Sequence, residues 1–239
     1  MLYRVRAVNT APDSENKIHD DRVAREHGFR GGLVPGVTVY GYMMQPVIDF
    51  APRWLERGSM HLVLAKPVYD SDELTVKAAP QDDGTIIVLA QNDAGTLCAH
   101  GPARFPGFAD PPEEIPAAPL PPREARPALS PDLIVTGAVL GSVQATLETA
   151  DPAELLELSN QILLQNFRLG PWLHVGSEVR NWSAAHEGDQ VSARARVVDR
   201  YEKKGHEFIV VDVMLVAGHD RLLQTVRHTA IYQLRARQT

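Results

Sequence analysis

The sequence predicts an α+β fold made of two tandem units, each a long helix wrapped by a curved antiparallel sheet. Two observations lead to this prediction. One helix followed by four strands occurs twice, and a proline-rich segment separates the two occurrences. The chain has 239 residues, of which 44% are apolar, and this suffices for a packed core. We therefore divide it into a first unit at 1–105, a linker at 106–131 and a second unit at 132–239.

The helix of the first unit is predicted from Val37 to Glu56, where apolar residues recur at helical spacings. Pro46 inside this segment predicts a kink, and Gly58 suits a left-handed stop. Four strand-like segments follow, separated by turn residues. Their ranges are 60–69, 73–79, 85–91 and 96–104.

The linker contains nine of the 18 prolines, among alanines and acidic residues, which favours extended and unpaired backbone. The second unit then repeats the order of the first. Asp151 is a helix N-cap, Pro152 suits the first helical position, and the helix should end near Gly170. Four more strands are predicted at 176–182, 190–201, 207–216 and 222–234. The repeated order favours a tandem duplication.

Charge and cysteine content exclude several classes of function. The net charge of -6 and the absence of a Lys/Arg cluster argue against nucleic acid as a partner. Cys98 is the only cysteine, so neither an internal disulfide nor a cysteine-based zinc site is expected, and we interpret it as a buried structural thiol. The histidines lack metal-ligand spacing. With no signal-peptide pattern and no apolar run that could span a bilayer, we expect a cytoplasmic protein without a membrane or a metal.

One stretch, from residue 14 to residue 41, has an order of residue types that indicates chemistry. A polar loop carries Asn16 and ends in His19, just before a short helix headed by acidic residues. A turn at Gly36 then opens the buried helix, where the N–H groups of Gly36 and Val37 are free to bind an anion. On these residues alone, Asn16 and His19 could equally be helix caps.

The same stretch resembles the motif of the MaoC-like, or hydratase-2, family. The matching residues are Asn16-Lys17-Ile18-His19 with Asp21, then Ala24, Gly28-Phe29, Gly36 and Gly41. The resemblance implies a double hot-dog fold and an enzyme that adds or removes water at an acyl-CoA or acyl-carrier thioester, with no further cofactor. The family's catalytic aspartate falls on Ser14, with Asp13 one residue earlier, and its histidine before the helix glycine falls on Pro35.

We expect these residues to take the following roles in the predicted reaction. His19 acts as the base towards water, because the positive end of the helix dipole favours its neutral form. Asn16 holds the water or the thioester, Asp13 or Ser14 is the partner of His19, and the N–H groups of Gly36 and Val37 bind the thioester oxygen.

Three hypotheses on function follow: an enoyl-thioester hydratase or dehydratase, a thioesterase that uses the same oxyanion site, and a non-catalytic acyl-thioester-binding protein. The second unit lacks the motif and is expected to supply the acyl-binding wall. We assign its His174 to packing beside Trp172. Two units in one chain can pair with each other, so the protein is expected to be a monomer or a homodimer.

Overall fold

The computed structural model describes residues 1–106 and 110–235, so residues 107–109 of the predicted linker and 236–239 of the second unit lie outside it. Within these described residues, ten antiparallel strands form one sheet in the order β1-β3-β4-β5-β2-β7-β10-β9-β8-β6. The strands are β1 (Leu2–Arg6), β2 (Ser59–Leu64), β3 (Glu73–Pro80), β4 (Ile86–Asn92), β5 (Leu97–Arg104), β6 (Val139–Thr146), β7 (Leu173–Asn181), β8 (Gln190–Lys203), β9 (His206–Ala217) and β10 (Arg221–Gln233). The eight predicted strands are all confirmed.

Two strands, β1 and β6, are additional to the prediction. β1 pairs with β3 at one edge of the sheet, and β6 pairs with β8 at the other. Each half therefore has five strands, and the halves meet where β2 pairs with β7, with Met60 opposite Val179. Each half of the sheet has the same strand arrangement about this central pair, as expected for a duplicated unit.

In the described part of the chain, four α-helices accompany the sheet: α1 (Asp21–Glu26), α2 (Gly36–Phe50), α3 (Trp54–Arg57) and α4 (Pro152–Asn166). The helix α2 packs on strands of the first half, α4 packs on strands of the second half, and the two helices contact each other. A Cβ atom placed on Gly41 would lie 3.0 Å from the Cβ of Ala153, so the second turn of α2 closely approaches the first turn of α4. Most buried residues of the two halves form one continuous core, and two small clusters, around Ile18 and around Ile115, lie apart from it.

The first long helix ends earlier than predicted. The expected segment 37–56 is divided into α2 and α3, because Pro52 keeps the preceding Ala51 out of the helical region, at φ -139° and ψ 75°. The predicted left-handed stop at Gly58 is wrong, since its φ is -77°. A glycine is needed there for another reason: a Cβ would lie 2.2 Å from the buried indole of Trp54.

The second long helix begins as predicted and ends before Gly170. The Asp151 carboxylate accepts a hydrogen bond from the Glu154 N–H at 2.9 Å, which satisfies a free donor of the first turn. At the other end, Phe167 is extended, and Asn166 ties the helix to β6 by hydrogen bonds to both backbone groups of Gly141. This tertiary anchor fixes the end of α4.

The described part of the linker is extended, apart from single 3₁₀ turns at Arg123–Ala125 and Pro131–Leu133. It lies against the second half, where Ala118 and Ser142 exchange hydrogen bonds. It then passes over the start of the first half, where Arg123 and Arg126 pair with the Glu15 carboxylate. None of the helices within residues 1–106 and 110–235 is long and apolar enough to cross a bilayer.

Candidate active site

The backbone around His19 is fixed by the loop that precedes α2. His19 ends a 3₁₀ turn, Lys17–His19, whose central Ile18 is buried. The His19 carbonyl accepts a hydrogen bond from the Asn9 side chain at 2.8 Å, and the Leu33 N–H donates to the Ile18 carbonyl at 3.2 Å. A Cβ on Gly32 would lie 2.1 Å from the His19 oxygen, so this close approach requires glycine.

The His19 ring is neutral, and its two nitrogens face different partners, the Leu33 carbonyl and the Asn16 side chain. Its Nδ1 lies 2.7 Å from the Leu33 carbonyl oxygen, which can only accept, so Nδ1 carries the proton and Nε2 keeps its lone pair. Burial lowers the pKa of His19, and the Leu33 hydrogen bond opposes this to a smaller extent. The neutral form was predicted from the dipole of α1. The cause is instead burial, because Asp20 lies between His19 and that helix and caps it.

Asn16 orients His19 and joins the two halves of the chain. Its Oδ1 accepts from the N–H groups of Ile18 at 3.3 Å and Trp172 at 3.2 Å. Its Nδ2 donates to the Trp172 carbonyl at 3.1 Å and lies 3.3 Å from His19 Nε2. The buried amide is thus both a cap and a bridge to the second half. These contacts engage both ends of the carboxamide.

The start of α2 leaves two backbone donors free. Pro35 occupies the N-cap position and offers no side-chain acceptor, and its carbonyl accepts from the N–H groups of Thr38 and Val39. Among the described residues, the N–H groups of Gly36 and Val37 have no hydrogen-bond acceptor. The related helix α4 is capped by a carboxylate, so an open helix start belongs to the first half alone. Such a start binds an anion or a developing negative charge.

Two cavities meet at His19. The larger, about 810 Å³, lies between the residue 10–19 loop, the polar face of α4 and the linker. The smaller, about 250 Å³, is mostly apolar and is lined by Phe29, Leu33, Val39, Leu64, Val68 and Ile231, among others. Five residues line both cavities, namely Asn16, His19, Pro35, Asn160 and Trp172. Gly36 faces the smaller cavity and Val37 the larger, so the open helix start also lies at this junction.

The two candidate partners of His19 from the sequence are placed differently. The Ser14 side chain lines the larger cavity, and its hydroxyl donates to the Asn16 carbonyl at 3.2 Å. Asp13 is exposed and lines neither cavity. The structure therefore brings Ser14, Asn16, His19, Gly36 and Val37 to one place and leaves Asp13 outside it.

Two residues of α4 belong to the site and were missed from the sequence. The Glu157 carboxylate lines the larger cavity and accepts hydrogen bonds from Asn160 Nδ2 and Gln161 Nε2, both at 2.7 Å. Burial raises the pKa of Glu157 in spite of these two bonds. The Oδ1 of Asn160 is buried and has no partner among the described residues. Their signal in the sequence was a polar Glu-x-x-Asn-Gln spacing on an apolar helix.

His174, which the sequence analysis assigned to packing, lines the smaller cavity. Its Nε2 lies 2.9 Å from the Ser177 hydroxyl, which in turn lies 3.1 Å from Nδ1 of the buried His228. Burial lowers the pKa of His174 to about 4, so the ring is neutral. A Cβ on Gly36 would lie 2.8 Å from His174 Nδ1, which places this imidazole directly against the start of α2.

Two other expectations concern metals and the cysteine. Within residues 1–106 and 110–235, no group of three or more His, Cys, Asp or Glu side chains is placed to hold a metal ion. Cys98 is fully buried in β5, as predicted, and burial raises the pKa of its thiol. Both the burial and the raised pKa disfavour a nucleophilic thiolate.

The comparisons with known proteins identify the fold. No family model matches the sequence, and no curated protein matches it. Among solved structures, a Mycobacterium tuberculosis protein described as a double hot-dog superposes with a TM-score of 0.66 at 14% identity, covering 97% of this chain and 95% of that one. An acyl-CoA thioesterase II from Mycobacterium marinum gives 0.58 at 13% identity, with 84% and 90% covered. A Chloroflexus aurantiacus protein assigned as a MaoC-domain dehydratase gives 0.57 at 11%, with 98% and 94% covered.

These likenesses define the class of the protein by its fold. The chain has a double hot-dog fold, in which two helix-and-sheet units share one continuous sheet. At 11 to 14% identity the likeness concerns the fold alone.

Proposed function

We propose that this protein is a MaoC-like hydratase or dehydratase that adds water to, or removes it from, a 2-enoyl or 3-hydroxyacyl thioester. The observation that carries the proposal is the position of His19. Its unprotonated Nε2 lies at the junction of the two cavities, where the helix with two free N–H groups also begins. The motif from Asn16 to Gly41 supports the same function.

We assign the steps of hydration to these groups as follows. His19 Nε2 takes a proton from water while the water oxygen adds to the β-carbon of the enoyl group. The negative charge that develops on the thioester oxygen is stabilised by the N–H groups of Gly36 and Val37. The Ser14 hydroxyl oxygen can accept a hydrogen bond from the attacking water, and Asn16 keeps the imidazole in position.

The cavities match the two ends of such a substrate. The smaller, apolar cavity suits an acyl chain, and the larger one, with polar side chains of α4 and the linker, suits the carrier arm. CoA or an acyl-carrier protein enters as part of the substrate, and the proposed chemistry needs no other cofactor.

A second candidate is hydrolysis of the thioester. It is favoured by Ser14 at the position of the family's aspartate and by the helix-start donors, which serve acyl transfer to water equally well. Thioesterases among the structural neighbours share the fold on which this chemistry is built.

The test offers the purified protein a series of 2-enoyl-CoA and saturated acyl-CoA thioesters. We expect loss of the conjugated-enoyl absorbance without release of free thiol, and a fall of about 10²-fold or more in His19→Ala. His27→Ala, which removes an exposed histidine, is the matched control and should keep the wild-type rate.

Three other outcomes have distinct meanings. Release of free thiol from saturated substrates would show that the protein hydrolyses thioesters, and the proposed hydratase function would be replaced by a thioesterase function. Binding without turnover would indicate a non-catalytic acyl-thioester-binding protein. Equal rates for wild-type protein and His19→Ala would contradict the role of the histidine.

A further inference from the structure

The face of α4 that lines the larger cavity is polar along its length. Glu157, Asn160, Gln161 and Gln165 recur at helical spacing and point to one side, towards the cavity that also contains His19. The close approach of Gly41 and Ala153 sets the first turn of α4 beside the second turn of α2. Glu157 in α4 and Val37 at the open start of α2 line the same cavity.

Within this face, Glu157 differs from an ordinary surface carboxylate. It has no ion-pair partner among the described residues, and its two hydrogen-bond donors are neutral amides, at Asn160 and Gln161. The charged or titratable groups that line the same cavity are His19, Glu15, Glu154, Arg123 and Arg126. Glu15 is paired with the two arginines, and Glu154 is held by backbone N–H groups at the start of α4. Glu157 is thus the carboxyl group of this cavity that neither an ion pair nor a helix cap engages.

Asn160 connects Glu157 to the reaction site. Its Nδ2 donates to the Glu157 carboxylate, while the residue lines both cavities alongside His19 and Trp172. Its Oδ1 is buried and unpartnered among the described residues, and the residue is only 7% exposed. A buried acceptor of this kind normally has a partner, which a water or an amide N–H of the substrate would supply.

We propose that Glu157 is the second proton-transfer residue of the site, so that the active site is composed of both halves of the chain. The inference rests on the proposed hydratase function. In the hydration direction, the Glu157 carboxylic acid gives its proton to the α-carbon, and the electron pair of the double bond forms that C–H bond. The water oxygen forms the bond to the β-carbon, and His19 takes the proton that the water loses. Transfer of this proton through solvent from His19 to the Glu157 carboxylate restores both groups.

This assignment fits the protonation states of the two residues. His19 is neutral because burial lowers its pKa, and burial raises the pKa of Glu157, which favours the carboxylic acid. Hydration should therefore decline as the pH rises through the pKa of Glu157, because the acid is lost.

The experiment compares wild-type protein with Glu157→Gln, Glu157→Asp and the control Glu148→Gln, which makes the same charge change at an exposed site just before α4. Glu157→Gln is expected to lower kcat by about 10²-fold or more, to abolish the decline at high pH and to leave the melting temperature close to that of the control. If Glu157→Gln does not fold, Glu157→Asp provides the test, because it keeps a carboxyl group but shortens the side chain by one methylene. We expect this variant to lower kcat by about tenfold or more.

The outcomes separate this inference from the proposed function. The role of Glu157 is overturned if folded Glu157→Gln, or Glu157→Asp, keeps turnover within about threefold of wild type while His19→Ala loses it. That result would leave the hydratase function intact. A wild-type protein that hydrates none of the thioesters overturns both.

Discussion

Acidification should destabilise the folded protein through its buried histidines, and His174 gives the magnitude. Its pKa is about 4 in the folded protein, against an ordinary value of 6.5, because burial disfavours the cation. The unfolded chain therefore takes up a proton at a pH where the folded protein does not. The stabilisation is complete above about pH 6.5 and is lost progressively as the pH falls towards 4.

This difference in proton affinity amounts to about 3 kcal/mol of unfolding free energy over the whole window, at about 1.4 kcal/mol for each tenfold change. By about pH 5, His174 alone should account for a loss of about 2 kcal/mol. His228 contributes in the same direction, since burial and the neighbouring His174 ring, 4.3 Å away, lower its pKa well below the ordinary value.

Urea unfolding at about pH 7.5 and pH 5 measures the effect in wild-type protein, His174→Gln and His219→Gln. The glutamine at 174 keeps a hydrogen-bonding group near Ser177 but cannot take up a proton, so this variant should lose about 2 kcal/mol less than wild type on acidification. His219 lies exposed in the turn between β9 and β10, and its variant should follow the wild type. The reasoning is refuted if His174→Gln and wild type lose equal stability.

Two further predictions concern the start of the first half. Asn16→Ala removes the partners of both backbone groups of Trp172. At about 1 to 3 kcal/mol for each unsatisfied buried group, we expect a loss of about 2 to 6 kcal/mol in urea unfolding, and a change below about 1 kcal/mol would contradict the bridge. Gly36→Ala introduces a Cβ 2.8 Å from His174 Nδ1 and should lower the unfolding free energy by about 1 to 3 kcal/mol, as seen by denaturation, together with the rate of thioester turnover. Gly170→Ala, where an added Cβ meets nothing within 4 Å, is the matched control and should change neither quantity.

Local signals in the sequence were enough to predict most of the fold. The cap at Asp151 and the strands divided by turn residues depend on neighbours in the chain, so their patterns are readable without tertiary information. The edge strands were missed for identifiable reasons. β1 has only five residues, and β6 is interrupted at Gly141 and Ser142, where the register shifts between Leu140 and Val143.

The same distinction between local signals and tertiary packing applies to the residues of the candidate site. Asn16, His19 and the start of α2 lie within one short stretch, so their order along the chain indicated a site. The place of Glu157 depends on how α4 meets α2 across the two halves, which no local pattern encodes. The burial that keeps His19 neutral likewise comes from packing, and the helix dipole inferred from the sequence was not its cause.

The different beginnings of α2 and α4 have a consequence for how such a site can change. In a dimer of identical hot-dog chains, every substitution at a helix start occurs in both subunits. A helix that is left uncapped to bind a ligand is therefore uncapped in both subunits. Here the two starts are encoded separately. Asp151 can stabilise one helix by about 1 kcal/mol while Pro35 leaves the other uncapped, and neither choice constrains the other. Two units in one chain thus permit an asymmetric protein in which folding stability and reactivity are adjusted at separate positions.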